Sequence, residues 1–212
     1  MRGAGWIDIT MEFGHPAATY PGDAPFELEW TGRIADGRWG VNLSRICSSP
    51  HNGTHSDAPF HVDYRGAKSQ ALDLEAYLGP CRVVDATKAK GASLPPDLAD
   101  DVAGVERVLF RQRRKAPKRF EPDFRGLSVD LVQRLAKQGV RLVGTDAPSV
   151  DNEAGRGLVA HRALFGAHIT IIESLDLSAV KPGDYELVAL PLKVSGLCAA
   201  PVRAVLRPQP RS

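Results

Sequence analysis

Cysteine is scarce: Cys47, Cys81 and Cys198 are the only three in 212 residues, far apart and without a C-x-x-C pair. That number cannot build a disulfide framework, so the three read as buried thiols in a reducing compartment, and a cytoplasmic location is expected. No run of about 18 apolar residues occurs, so no membrane-spanning helix is expected. The start of the chain also lacks the basic-then-apolar pattern of a secretion signal. Charge of one sign is lacking too: 27 Lys and Arg stand against 25 Asp and Glu, a formal net charge of +2. Such a balance gives no strong field toward nucleic acid or an acidic membrane, and neither is expected as a partner. Missing as well are the G-x-S-x-G elbow, the G-x-x-x-x-G-K-[ST] phosphate loop and G-x-G-x-x-G, which weakens serine hydrolase, P-loop and Rossmann readings. What remains, 43% hydrophobic and 25% charged, is ordinary for a folded chain. No solenoid period repeats, and a single domain over 1–212 is expected.

Chemistry concentrates instead in one stretch. Residues 50–61 read P-H-N-G-T-H-S-D-A-P-F-H and hold three of the six histidines. His51, His55, Asp57 and His61 offer three imidazoles and a carboxylate, a donor set suited to Zn2+, Mn2+ or Fe2+. The His51–His55 spacing matches the helical H-E-x-x-H motif, but Asn52 fills the general-base slot. Gly53 and the flanking Pro50 and Pro59 argue against a helix. In an extended segment the four odd-numbered side chains would share one face, and Gly53 would leave room beside a metal. The bland alternative is a polar loop rich in histidine.

Short strands are expected at 6–10, 26–30 (F-E-L-E-W, alternating and half-buried), 41–47, 81–86, 107–111, 141–146, 169–172, 185–193 and 201–207. Helices are expected at 69–78, where a serine caps good helix formers before Gly79-Pro80, and from Ser128 to Gly139. A third covers 158–166, and 146–157 reads as a loop. Many strands with three or four helices indicate a mixed α/β fold.

Several residues outside the stretch carry two readings. Tyr20, on a loop with strong turn chemistry, is either a packing residue or part of a site. The six basic side chains of 111–119 suggest a solvated loop before an anion-binding one. Asp146 and Asp151 follow a buried strand, where capping and turn roles compete with function. His161 on a helix and Glu173 at the end of the next strand would be surface residues on their own, but could converge on a metal placed upstream. His168 needs no role beyond a local hydrogen bond.

The segment H-N-G-T-H-S-D-A-P-F-H closely resembles the H-x-G-T-H-x-D-x-P-x-H signature of the cyclase-like metal-dependent hydrolases. Y-P-G-D (20–23), Y-L-G-P-C-R-V-V (77–84), V-R-L-V-G-T-D-A-P-S-V-D (140–151), P-G-D-Y-E-L-V-A-L-P-L-K (182–193) and P-V-R-A-V-L-R (201–207) extend the likeness end to end. The C-terminal segments look most like the bacterial arylformamidase branch. This resemblance implies a three-layer β/β/α domain, usually a homodimer or larger assembly. It also implies two divalent ions per subunit, Zn2+ ahead of Mn2+, and hydrolysis of a small N-formyl aryl amide by a metal-activated water. His51, His55 and Asp57 match the ligands of one ion, and Asp57, His161 and Glu173 those of the second. His61 matches the general acid/base. Tyr20 falls where these enzymes usually carry a tryptophan lining the substrate pocket. Two rivals are a related cyclic-amide hydrolase and a metal-binding protein without turnover.

Overall fold

Apolar, β-branched runs build the centre of the molecule, and in the central strands successive side chains fill both faces of the sheet. The computed structural model describes residues 5–152 and 157–209. In chain order its strands are β1 (Ile7–Asp8), β2 (Glu27–Gly32), β3 (Leu43–Cys47), β4 (His55–Asp57), β5 (Leu78–Asp85), β6 (Ser93–Leu94), β7 (Arg107–Arg111) and β8 (Gly126–Leu127). Helix α1 (Val129–Lys137), β9 (Leu142–Thr145), α2 (Val159–Gly166), β10 (Thr170–Glu173), β11 (Gly183–Val188), β12 (Ala199–Pro201) and β13 (Val205–Pro208) follow.

Nine strands form one mixed sheet in the order β1-β13-β11-β5-β7-β9-β10-β4-β12. Its middle is parallel, from β5 through β7 and β9 to β10, and its flanks are antiparallel. Val108, Phe110, Val143 and Ile171 point to one side and pack with α1 and α2, while Val83, Leu109, Leu142 and Ile172 fill the other. Each fully buried aliphatic or aromatic side chain contributes about 1.5–3 kcal/mol. The sheet is curled. β12 and β13 are separated by only Val202–Ala204 in sequence yet lie seven strand positions apart in the order. A flat sheet would put those positions roughly 34 Å apart at about 4.8 Å per strand, whereas the connecting residues reach only about 14 Å.

Helix α1 forms as expected: the Ser128 hydroxyl accepts the Leu131 N–H at 3.2 Å, and Leu131, Val132 and Leu135 make the buried stripe. Elsewhere the chain departs from the expected elements. Residues 69–78 are not one helix but two 3-10 turns, Ser69–Ala71 and Leu74–Tyr77, separated at extended Leu72 and Asp73. Burial of Tyr77, whose hydroxyl bonds Ser56 Oγ at 2.6 Å, overrides local helix propensity. Segment 201–207 breaks at Arg203 and Ala204, where Thr10 Oγ1 donates to the Ala204 carbonyl, so its ends join opposite flanks of the sheet. The expected half-buried strands β2 and β3 instead pair only with each other, and Leu28, Trp30, Leu43 and Ile46 are exposed. Of the thiols, only Cys81 is buried; Cys47 is exposed and Cys198 half-buried. Part of the expected 146–157 loop, residues 153–156, lies outside the described residues.

Candidate metal centre

The histidine stretch is extended only in part. β4 covers His55–Asp57 and a 3-10 turn covers Pro59–His61, while His51 precedes both in a turn. Within β4 the two-residue period puts His55 and Asp57 on one face, as expected. Gly53 serves the backbone, not the metal: its φ is +64°, and a Cβ there would lie 2.9 Å from the Met11 carbonyl oxygen. The tight passage turns His51 back onto β4, where His51 Nδ1 stands 3.0 Å from Asp57 Oδ1. His55 Nε2 lies 3.5 Å from the same oxygen.

The other half of the cluster arrives from α2 and β10. β10 pairs antiparallel with β4, and the register sets Glu173 directly opposite His55. Glu173 Oε2 is 3.3 Å from His55 Nε2, and its Oε1 is 3.3 Å from His161 Nε2. His161 Nε2 is 3.1 Å from Asp57 Oδ2. Two side chains that would be surface residues on their own are thus buried and convergent, with His161 and Glu173 at 1% and 3% exposure. Asp151 supplies both competing roles at once. It accepts the Ala160 and His161 backbone N–H groups at the start of α2, and it meets His161 Nδ1 at 2.7 Å. Asp146 is a backbone clamp: it accepts the N–H groups of Gln112 and Arg113, and burial pushes it up to about 6 against those bonds.

Burial opposes charge on the imidazoles, yet facing carboxylates outweigh it. Contacts with Asp57 carry His51 up to about 9, and contacts with Asp57 and Glu173 carry His55 to about 10. Asp151, Asp57 and Glu173 carry His161 to about 12. Burial raises both carboxylic acids, but the surrounding imidazoles hold Asp57 well below the usual carboxylate range and lower Glu173 as well. The cluster therefore selects positive charge in a buried place, where an unpaired ion costs several kcal/mol. His55 Nε2 and Asp57 Oδ1 are buried without a well-aligned hydrogen bond although they face each other. Lone pairs converging this way suit a cation, and His51, His55 and Asp57 offer donor atoms within 4.8 Å of one another. Imidazole with carboxylate is the donor chemistry of first-row divalent ions, so the residues present fit such an ion.

A cleft opens over this cluster, lined among others by Tyr20, His61, Ser149 and Leu158. The His61 ring lies 4.4 Å from that of His51 and 5.4 Å from that of His161. Tyr20 meets Phe120 edge to face at 5.2 Å. Phe120 follows the basic run, whose Arg113, Arg114, Lys115, Lys118 and Arg119 line a separate surface hollow. His168 is exposed, at the far end of α2, and lines a different hollow. Sequence reasoning missed Cys198. Its Sγ is 3.2 Å from His51 Nε2, and hydrogen bonds with His51 and His61 lower its thiol to about 6. A lone cysteine far from the signature carries no signal that would have found it.

The Cyclase family model matches residues 7–152. A relative named kynurenine formamidase, from Bacillus thuringiensis (strain Al Hakam), is 39% identical over 211 residues, covering 98% of this chain and all of the relative. The solved structure of a predicted metal-dependent hydrolase from Bacillus stearothermophilus superposes with a TM-score of 0.80 at 31% identity, covering 95% of this chain and 97% of the other. An isatin hydrolase bound to thioisatinate shares the fold, with a TM-score of 0.80 at 22% identity over 96% of this chain and 92% of the other. With its signature buried at the junction of β4, β10 and α2 and its relatives matched along nearly their whole length, this chain belongs to the Cyclase family of metal-dependent hydrolases.

Proposed function

We propose that this chain is an arylformamidase that hydrolyses N-formylkynurenine to kynurenine and formate. One observation carries the reading: Asp57 turns Oδ1 toward His51 and His55 and Oδ2 toward His161, so one carboxylate faces both halves of the cluster. The curated relatives named kynurenine formamidase, 39% identical along the chain, support the substrate. His51, His55 and Asp57 would hold one divalent ion and Asp57, His161 and Glu173 a second, with zinc preferred and manganese accepted by the same donors. Metal bound there would supply a water that ionises near neutral pH and Lewis-acid polarisation of a carbonyl.

The chain's own residues do the rest. Asp151 holds the His161 ring, and the Gly53 carbonyl meets His55 Nδ1 at 3.0 Å, so both rings are fixed before substrate arrives. Tyr20 offers an aromatic face to the aryl ring of the substrate. Water oxygen bonds to the formyl carbon, the C–N bond breaks, and the aryl amine leaves only if its nitrogen gains a proton. His61 lines the cleft beside the His51 ring and delivers that proton as the general acid.

The exposed apolar side chains of the β2–β3 hairpin, a unit marginal in water alone, support a homodimer. A single domain over 1–212 and, from three free thiols, a cytoplasmic setting complete the reading. Turnover of N-formylkynurenine and isatin on one preparation tests it. Faster formate release from N-formylkynurenine is expected; preference for isatin would make the chain a cyclic-amide hydrolase. No turnover of either with metals loaded would leave a metal-binding protein.

A further inference from the structure

Each histidine assigned to a metal has two ring nitrogens, and only one can face the ion. The other must give its N–H to something, and in metal centres that partner fixes the ring and its tautomer. For His55 the partner is the Gly53 carbonyl, at 3.0 Å from Nδ1. For His161 it is the Asp151 carboxylate, at 2.7 Å from Nδ1. His51 faces Asp57 through Nδ1, and among the described residues its Nε2 meets the Cys198 sulfur, at 3.2 Å.

That sulfur is held in place. The Cys198 carbonyl accepts the Ala58 N–H at 2.8 Å, and the next residue, Ala199, is paired with Asp57 across the β4–β12 ladder. Cys198 is thus anchored to the same strand that carries the shared carboxylate. A His61 ring nitrogen lies within 4.8 Å of the Cys198 sulfur, and the His61 ring is 4.4 Å from that of His51. One side chain meets the ligand and stands beside the proton donor.

We infer that Cys198 is a positioning residue of the metal centre, taking the His51 Nε2–H so that the Nδ1 lone pair is offered to the ion, and setting His61 beside it. The inference rests on the reading of His51 as a ligand. Sulfur is a weak acceptor, and serine can take the same N–H with a hydroxyl oxygen.

Metal retention against a competing chelator, for the full-length wild type, Cys198→Ala and Cys198→Ser, is the test. Loss of a second-shell partner typically costs 10–100-fold in metal affinity, so Cys198→Ala should bind roughly 10-fold more weakly or worse, and Cys198→Ser should stay within about threefold of wild type. The metal-free melting temperatures should match, because a half-buried side chain contributes little packing. Cobalt-loaded wild type should show no sulfur-to-cobalt charge-transfer band. Such a band would make Cys198 a ligand and overturn the inference. Equal retention by Cys198→Ala and wild type would overturn it too, as would serine failing as badly as alanine. If Cys198→Ala does not fold, the serine variant and the cobalt spectrum still decide. A wild type that binds no metal would instead remove the centre itself, a distinct failure.

Discussion

Glu173 and His55 face each other across the antiparallel pair of β4 and β10, with Glu173 Oε2 3.3 Å from His55 Nε2. The register does this. A slip of one residue would turn Glu173 to the opposite face and leave the imidazoles with one carboxylate fewer. Glu173→Gln keeps the acceptor oxygen that takes the Val150 N–H but removes the charge. It should hold one ion in place of two and lose at least about 100-fold in kcat, since even outer-shell changes cost 10–100-fold. Elemental analysis beside steady-state rates checks both.

His61 lines the cleft without joining the ion pairs around Asp57. His61→Ala should therefore keep its metal content while kcat falls about 100- to 10,000-fold, the usual contribution of a general acid. Loss of metal in that variant would make His61 a ligand.

Metal uptake should release protons. Without metal, the carboxylates they face raise His51, His55 and His161 to about 9, 10 and 12, which favours an extra proton on each near pH 7. A ligand nitrogen must give that proton up, so binding weakens as pH falls. Calorimetric titration of chelated protein with zinc, in buffers of different ionisation enthalpy, should report net release at pH 7. Uptake, or no exchange, would contradict the assignment.

Thiol reactivity should divide along burial. Cys81 is buried and its thiol is pushed up to about 12, so at pH 8 it holds its proton and lacks the nucleophilic form. Cys47 is exposed. Brief alkylation of the native protein at pH 8, mapped by mass spectrometry, should mark Cys47 and spare Cys81 until the protein is unfolded.

Much of the site was legible because its signal is local. His51, His55, Asp57 and His61 lie within one segment, and strand alternation already puts His55 and Asp57 together. Ser128 and the Leu131–Val132–Leu135 stripe likewise announce α1. What sequence hid depends on distant chain. The Gly53 turn is shaped by Met11 and Phe13, the break near Ala204 by Thr10, and the 3-10 turns before Tyr77 by its burial against Ser56. Alternation in β2 signals a strand but not what covers it, and Leu28 and Trp30 stay exposed. Asp151 shows a further limit: a capping carboxylate and an imidazole anchor look the same in sequence, and here one residue is both.

The most direct test of the central claim is formate release from N-formylkynurenine by the purified protein before chelation, after it, and during stepwise return of zinc. Activity should be lost on chelation and restored in full as the second ion per subunit binds. Unchanged activity in protein shown to be metal-free would contradict it.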